Sequence, residues 1–153
     1  MNASGSTLEF LTFLLAPIGY AGLTTVTVMA AYGRMPTLLH RVTAAIIVTH
    51  VFMVWHVRYE WQFSEATRNG YGGFALFHGA LLAIIASTVV PMRIAEKLLV
   101  AAFLTVTLGA LVATSRYDVV RAYRIPVIVI AIAGVVGLVY RTAATAKKGR
   151  EVT

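Results

Sequence analysis

The chain has 153 residues, of which 59% are hydrophobic and 12% are charged, and its formal net charge is +7. Because a soluble domain has about 25% charged residues, this composition indicates a single small integral membrane domain, residues 1–153, and excludes a sizeable soluble one. The basic residues lie in short loops and at the C-terminus, where they orient membrane helices, so we expect no nucleic-acid partner. The absence of cysteine excludes disulfides, thiolate-held iron–sulfur clusters and covalently attached c-type haem.

Five apolar segments follow one another along the chain, and each is predicted to be a transmembrane helix. They cover residues 7–32, 37–60, 73–90, 94–115 and 119–140, and a basic tail, 141–153, follows. The first is interpreted as a retained helix and not a signal peptide, since no Lys or Arg precedes it. The fifth includes Arg121 and Arg124 near its start, where their side chains would reach the membrane interface. The predicted fold class is an all-α membrane bundle of five transmembrane helices.

The basic residues divide unequally between the two sides that five spans define. Eight lie on the side of the C-terminus: Arg34, Arg41, Arg93, Lys97, Arg141, Lys147, Lys148 and Arg150. Five lie on the side of the N-terminus: Arg58, Arg68, Arg116, Arg121 and Arg124. Since basic loops stay in the cytoplasm, we expect an outside N-terminus and a cytoplasmic C-terminus, in a bacterial or archaeal cytoplasmic membrane.

Histidines mark the second and third helices as the candidate site. The second carries His40, His50 and His56, and the third carries His78. A histidine at membrane depth is unfavourable unless it is paired, ligated or hydrated. Counted from the outer helix ends, His56 lies about 6 Å and His78 about 7.5 Å below the same membrane edge. His50 lies about 9 Å deeper and points about 120° away from His56, so it is the reserve candidate.

Two depth-matched histidines on facing helices are what a bis-imidazole haem b requires. Small residues, Gly79 among them, suit the flat faces of a macrocycle. Arg58, Arg121 and Arg124 on the outer side suit its propionate groups, because a guanidinium group binds a carboxylate through two hydrogen bonds. For His50, the alternative interpretations are a hydrogen bond to a neighbouring helix or a place in a proton path.

The sequence His40-Arg41, His50 and His56, followed by Phe77-His78-Gly79 on the next helix, resembles the histidine-bearing helices of membrane b-type cytochromes. The resemblance covers the second and third helices. It implies an oxidoreductase subunit that transfers electrons within or beside a respiratory complex, to or from a quinone or a partner redox subunit. No further helix supplies an inner partner for His40 or His50, so a second haem is expected only if another subunit completes it.

Two alternatives remain open. His56 and Glu60 are four residues apart on one predicted helical face and, with His78, are suited to a non-haem transition metal. The chain can also be interpreted as a cofactor-free accessory subunit of a larger membrane complex, packed through the small-residue faces of its first and fifth helices. In every case we expect contact with the lipid bilayer and a homo-oligomer or a partner subunit.

Overall fold

The computed structural model describes the backbone of residues 3–68 and 70–150 and the side chains of residues 7–68 and 70–144. Within these ranges the chain is helical and contains no strand. The helices are α1 (Ala3–Ala31), α2 (Thr37–Val57), α3 (Phe63–Ala66), α4 (Tyr71–Ser87), α5 (Met92–Arg116), a 3-10 helix (Asp118–Tyr123) and α6 (Arg124–Arg150).

Four segments in the described part of the chain are long and apolar enough to cross a membrane: Thr7–Ala31, Thr37–Val57, Met92–Arg116 and Asp118–Ala144. The remaining apolar helix, α4, has 17 residues. At 1.5 Å per residue it is about 25 Å long, against a hydrocarbon core of about 30 Å. The all-α prediction is confirmed, with four helices of spanning length and one shorter apolar helix.

Helix ends differ from the predicted spans, most clearly at the end of α2, at the start of the fifth span and in the basic tail. α2 ends at Val57 because Glu60 and Trp61 have φ values of 48° and 61°, in the left-handed region that terminates helices. The fifth predicted span begins as a 3-10 helix, and Pro126, which lacks an N–H, lies in the first turn of α6. The predicted basic tail is helical as far as Arg150, and its last residues, 151–153, lie outside the described part of the chain.

α1 is the central helix of the bundle. It packs against α2, α5 and α6, while α4 packs along α5, so the helix pairs α1/α2 and α4/α5 are joined through α1 and α5. α2 approaches α1 closely because α1 has a glycine, Gly22, at the contact. A Cβ atom added to Gly22 would lie 2.7 Å from Thr43 Oγ1 on α2. This close approach fixes the position of α2 relative to α1.

The core lies where α1, α4 and α5 meet. Its largest fully buried apolar side chains are Leu23, Ile84, Leu99 and Phe103. The Tyr20 ring stacks on Phe103 with centroids 6.2 Å apart, and the Tyr20 hydroxyl lies 2.7 Å from Thr107 Oγ1. Many large apolar side chains on α2, α4, α5 and α6 are exposed instead, as expected for helices surrounded by lipid.

Candidate functional site

α2 and α4 meet at two levels. Near the start of α2, His40 Nε2 lies 2.8 Å from Ser87 Oγ at the end of α4. Near the end of α2, the Trp55 indole N–H donates a hydrogen bond of 3.2 Å to His78 Nε2 on α4. The order of these partners shows that the two helices are antiparallel. Because they share few other contacts, space remains between them.

That space is a cavity of about 270 Å³ bounded by α1, α2, α4, α5, the 3-10 helix and α6. Its lining is almost wholly apolar, and its polar groups come from five side chains: Tyr20, His50, His78, Thr114 and Tyr123. The volume lies just below the range of about 300–1,000 Å³ typical of small-molecule sites. The cavity brings together His50 and His78.

A backbone carbonyl of α1 orients His50. His50 Nδ1 lies 2.9 Å from Thr12 O. Since a carbonyl oxygen only accepts, Nδ1 carries the hydrogen and Nε2 is the nitrogen with the lone pair. Pro17 lies about one turn further along α1 and has no N–H to bond the Phe13 carbonyl, which loosens the α1 ladder next to Thr12.

His78 is oriented by its own helix. Its Nδ1 lies 2.8 Å from Phe74 O, one turn earlier, and the Phe74 ring stacks on the imidazole with centroids 3.9 Å apart. Its Nε2 accepts the hydrogen bond from Trp55, and an indole N–H can only donate. Nε2 therefore carries the lone pair, and Nδ1 carries the hydrogen.

The two imidazoles thus share one arrangement. In both His50 and His78, Nδ1–H donates to a backbone carbonyl, which leaves Nε2 as the basic nitrogen. This is how metal-binding histidines are usually held, because the outer hydrogen bond fixes the tautomer and the ring orientation. Two such groups, one on α2 and one on α4, line one apolar cavity. They are not at one level, because His50 lies five residues, or about 7.5 Å along α2, before Trp55, which meets His78.

His56 does not line the cavity, and its side chain is exposed. The face of α2 toward the cavity carries Ile47, His50 and Val51, with Trp55 on the same face. His56 is the next residue and points about 100° away. The predicted level of His56 along α2 was wrong by one residue. Trp55, the residue before it, is the one that faces and contacts His78.

The predicted pairing of His56 and Glu60 on one helical face is wrong, because α2 ends at Val57 and Glu60 lies in left-handed backbone beyond it. Among the described residues, no group of three or more His, Asp or Glu side chains is placed to hold a metal ion. His40 is buried and bonded to Ser87, whose hydroxyl donates in turn to Ile84 O at 2.6 Å. That contact joins two helices outside the cavity.

The predicted arginines lie at the end of the bundle where α1 begins and α2 ends. Arg58 pairs with Glu9 of α1 at 3.4 Å, and Arg121 pairs with Asp118 at 3.5 Å. Arg121 and Arg124 lie on either side of Tyr123, which lines the cavity. Gly79 does not line it, and a Cβ atom added there would meet nothing within 4 Å.

Trp55 and Thr12 were not predicted to be parts of the site. For Trp55 the available signal was helical periodicity, since it follows Ile47 and Val51 at intervals of four residues. Thr12 contributes only its backbone carbonyl, and because every residue has one, the sequence could not have identified it. Comparison of the chain with protein-family models, curated proteins and solved structures gave no match.

Proposed function

We propose that this protein is a membrane b-type haem protein that transfers electrons, with His50 and His78 as the axial ligands. The observation that carries the proposal is the arrangement of the two imidazoles. Both line one cavity, and each Nδ1 lies within 2.9 Å of a backbone carbonyl oxygen. An iron porphyrin held by two imidazoles supplies reversible one-electron transfer.

The two imidazole nitrogens are suitable ligands for haem iron, but the cavity between α2 and α4 has to widen to hold the porphyrin. A cavity of about 270 Å³ is smaller than a porphyrin requires, so α2 and α4 have to move apart around the ligand. The two helices share few contacts, and α2 is packed mainly on α1 while α4 is packed mainly on α5. The proposed widening therefore separates α2 from α4 while the α1/α5 core, which joins the two pairs, stays packed.

The arginines proposed to bind the propionate groups are Arg58, Arg121 and Arg124. Arg121 and Arg124 are close in sequence to Tyr123, which lines the cavity, and Arg58 lies at the end of α2. Arg58 and Arg121 each form an ion pair, but the side chains involved are at least 42% exposed. Exposed pairs contribute at most about 1 kcal/mol, so a propionate can replace the present partner easily.

The topology proposed for this function has five spans, with the N-terminus outside and the C-terminus cytoplasmic. Its support is that α4 runs antiparallel to α2 and packs along α5, which has spanning length. Reporter fusions placed after Gly70 and after Thr153 test it. We expect the first reporter outside and the second in the cytoplasm, and finding both on one side would refute the five-span topology.

The visible spectrum of the purified protein is the direct test of the cofactor. We expect a sharp Soret band and, on dithionite reduction, resolved α and β bands of a six-coordinate low-spin haem. His50→Ala and His78→Ala should each abolish that spectrum. His56→Ala is the matched control, because His56 lies on the same helix and outside the cavity.

Other results lead to the alternatives. If His56→Ala loses the haem spectrum and His50→Ala keeps it, the ligand pair is His56 and His78. A colourless protein that contains zinc, copper or iron supports a non-haem metal site. A colourless, metal-free protein supports a cofactor-free accessory subunit.

An electron carrier in the bilayer needs a redox partner there, and we propose a quinone or a partner redox subunit. The experiment is to mix the oxidised haem-loaded protein with a short-chain quinol and to follow the α band by stopped flow. Reduction by the quinol at a rate that saturates with its concentration supports a quinone as the direct partner. A rate that rises linearly with quinol concentration and does not saturate favours a protein partner.

A further inference from the structure

Trp55, near the end of α2, contacts His78, which lines the cavity. Its indole N–H donates to His78 Nε2 at 3.2 Å, and the two rings meet edge to face with centroids 5.9 Å apart. The indole also stacks on Trp61 with centroids 6.2 Å apart and forms a T-shaped contact with Phe74 at 6.3 Å. Trp55 is thus held in place by aromatic neighbours as well as by the hydrogen bond.

The hydrogen bond uses the same lone pair that a metal would use. A neutral imidazole has one basic nitrogen, and in His78 this is Nε2, since Nδ1–H donates to Phe74 O. Bonding of Nε2 to the indole and bonding of Nε2 to iron therefore exclude each other. The Trp55–His78 bond is also one of the two side-chain hydrogen bonds that tie α2 to α4 in the described part of the chain.

We propose that Trp55 is a latch on the site, which has to release His78 before Nε2 can bind a ligand. Release frees Nε2 of His78 for a ligand. It also removes the hydrogen bond that holds the outer ends of α2 and α4 together, so that the narrow cavity can widen. The identity of the ligand as haem rests on the function proposed above, whereas the latch rests on the contacts of Trp55. Trp55 is a positioning residue and not a ligand.

A purely structural role for Trp55 predicts the opposite change in ligand affinity when the indole is removed. If the indole only supported the orientation of His78, its removal would loosen the imidazole and weaken ligand binding. If it is a latch, removal of the N–H eliminates a competitor and strengthens binding. Trp55→Phe separates the two, because phenylalanine keeps an aromatic ring against Trp61 and Phe74 and lacks the N–H donor.

The first experiment titrates haem into protein prepared without it, in detergent micelles. A net hydrogen bond to an imidazole is worth enough to predict that Trp55→Phe binds haem about two- to tenfold more tightly than the parent protein. Trp61→Phe is the matched control, since Trp61 stacks on Trp55 but does not bond His78, and it should leave the affinity unchanged. Equal or weaker binding by Trp55→Phe, with helical content preserved in circular dichroism, overturns the latch. If that variant fails to accumulate, Trp55→Leu is expected to change affinity in the same direction.

The second experiment needs no haem. Diethylpyrocarbonate modifies a free imidazole nitrogen, and peptide mass spectrometry resolves the rate at each histidine. We expect His78 to react about two- to tenfold faster in Trp55→Phe than in the parent protein, because the hydrogen bond no longer occupies Nε2. His56, which is exposed and lies outside the cavity, is the internal reference and should react equally in both proteins.

Together the experiments separate the two proposals. If the parent protein binds no haem but His78 becomes faster in Trp55→Phe, the latch stands and the haem function fails. If haem binds and His78 reacts equally in both proteins, the haem function stands and the latch is refuted.

Discussion

Replacing Gly134 by alanine is expected to destabilise the bundle where α6 packs on α1 and α5. An added methyl group would meet the ring of Phe103 on α5 and would lie 2.9 Å from Thr24 Cγ2 on α1. Phe103 has no exposed surface, and Tyr20 stacks on it. Because the ring has no free space to move into, α6 itself has to shift.

The size of the effect follows from two opposing contributions. Inserting a methyl group into a packed core costs about 1–3 kcal/mol. Replacing glycine by alanine within a helix gains about 0.5–1 kcal/mol. Gly79→Ala is the matched control, because a Cβ atom there meets nothing within 4 Å and only the gain applies. The two variants should therefore differ by about 1–3 kcal/mol, the cost of the overlap at Gly134.

Reversible unfolding in mixed micelles, with increasing sodium dodecyl sulfate and circular dichroism as the readout, measures this difference. We expect an earlier midpoint for Gly134→Ala than for Gly79→Ala. Equal midpoints for the two variants would refute the reasoning, since they would show that α6 does not pack on Phe103 as described.

Two smaller effects are expected in the same assay. Tyr20→Phe removes the hydrogen bond to Thr107 and should cost about 0.6 kcal/mol, the average for such bonds between membrane helices; a loss above about 3 kcal/mol would contradict this estimate. Ser87→Ala leaves the buried His40 without its partner and should cost about 1–3 kcal/mol; an unchanged midpoint would show that water or another group replaces the serine.

The level of a residue along its helix was predictable to within one position, whereas the direction of its side chain was not. Counting residues from the helix ends placed His56 level with His78, and the structure shows the preceding residue, Trp55, in contact with His78. Each residue turns the side chain by about 100°, so an error of one position exchanges a facing residue for an exposed one. The rotation of α2 is set by its contact with α1 at Gly22, which requires the pairing of the helices to be known.

The helix content followed directly from the apolar segments, but helix ends depended on local backbone geometry. Glutamate and tryptophan are not residue types that predict left-handed backbone, yet Glu60 and Trp61 adopt it. Because of this turn, Glu60 does not lie on the face of α2. Likewise, the sequence showed a cluster of aromatic residues at the outer end of α2. Their mutual contacts, and the hydrogen bond from Trp55 to His78, became visible only when α4 was placed beside α2.

The imidazoles of the two candidate ligands, His50 and His78, are held by hydrogen bonds to different helices. This difference determines which imidazole moves if the cavity widens. His50 is bonded to Thr12 O on α1, so its imidazole is held by the α1/α2 interface, which Gly22 keeps close. His78 is bonded to Phe74 O on its own helix, so its imidazole moves with α4. If the cavity widens for haem as proposed, the α1/α2 side can stay fixed while α4 moves, once Trp55 has released it. Changes in the α1/α2 interface should therefore misorient His50 and weaken binding, whereas changes at Trp55 should alter access to His78.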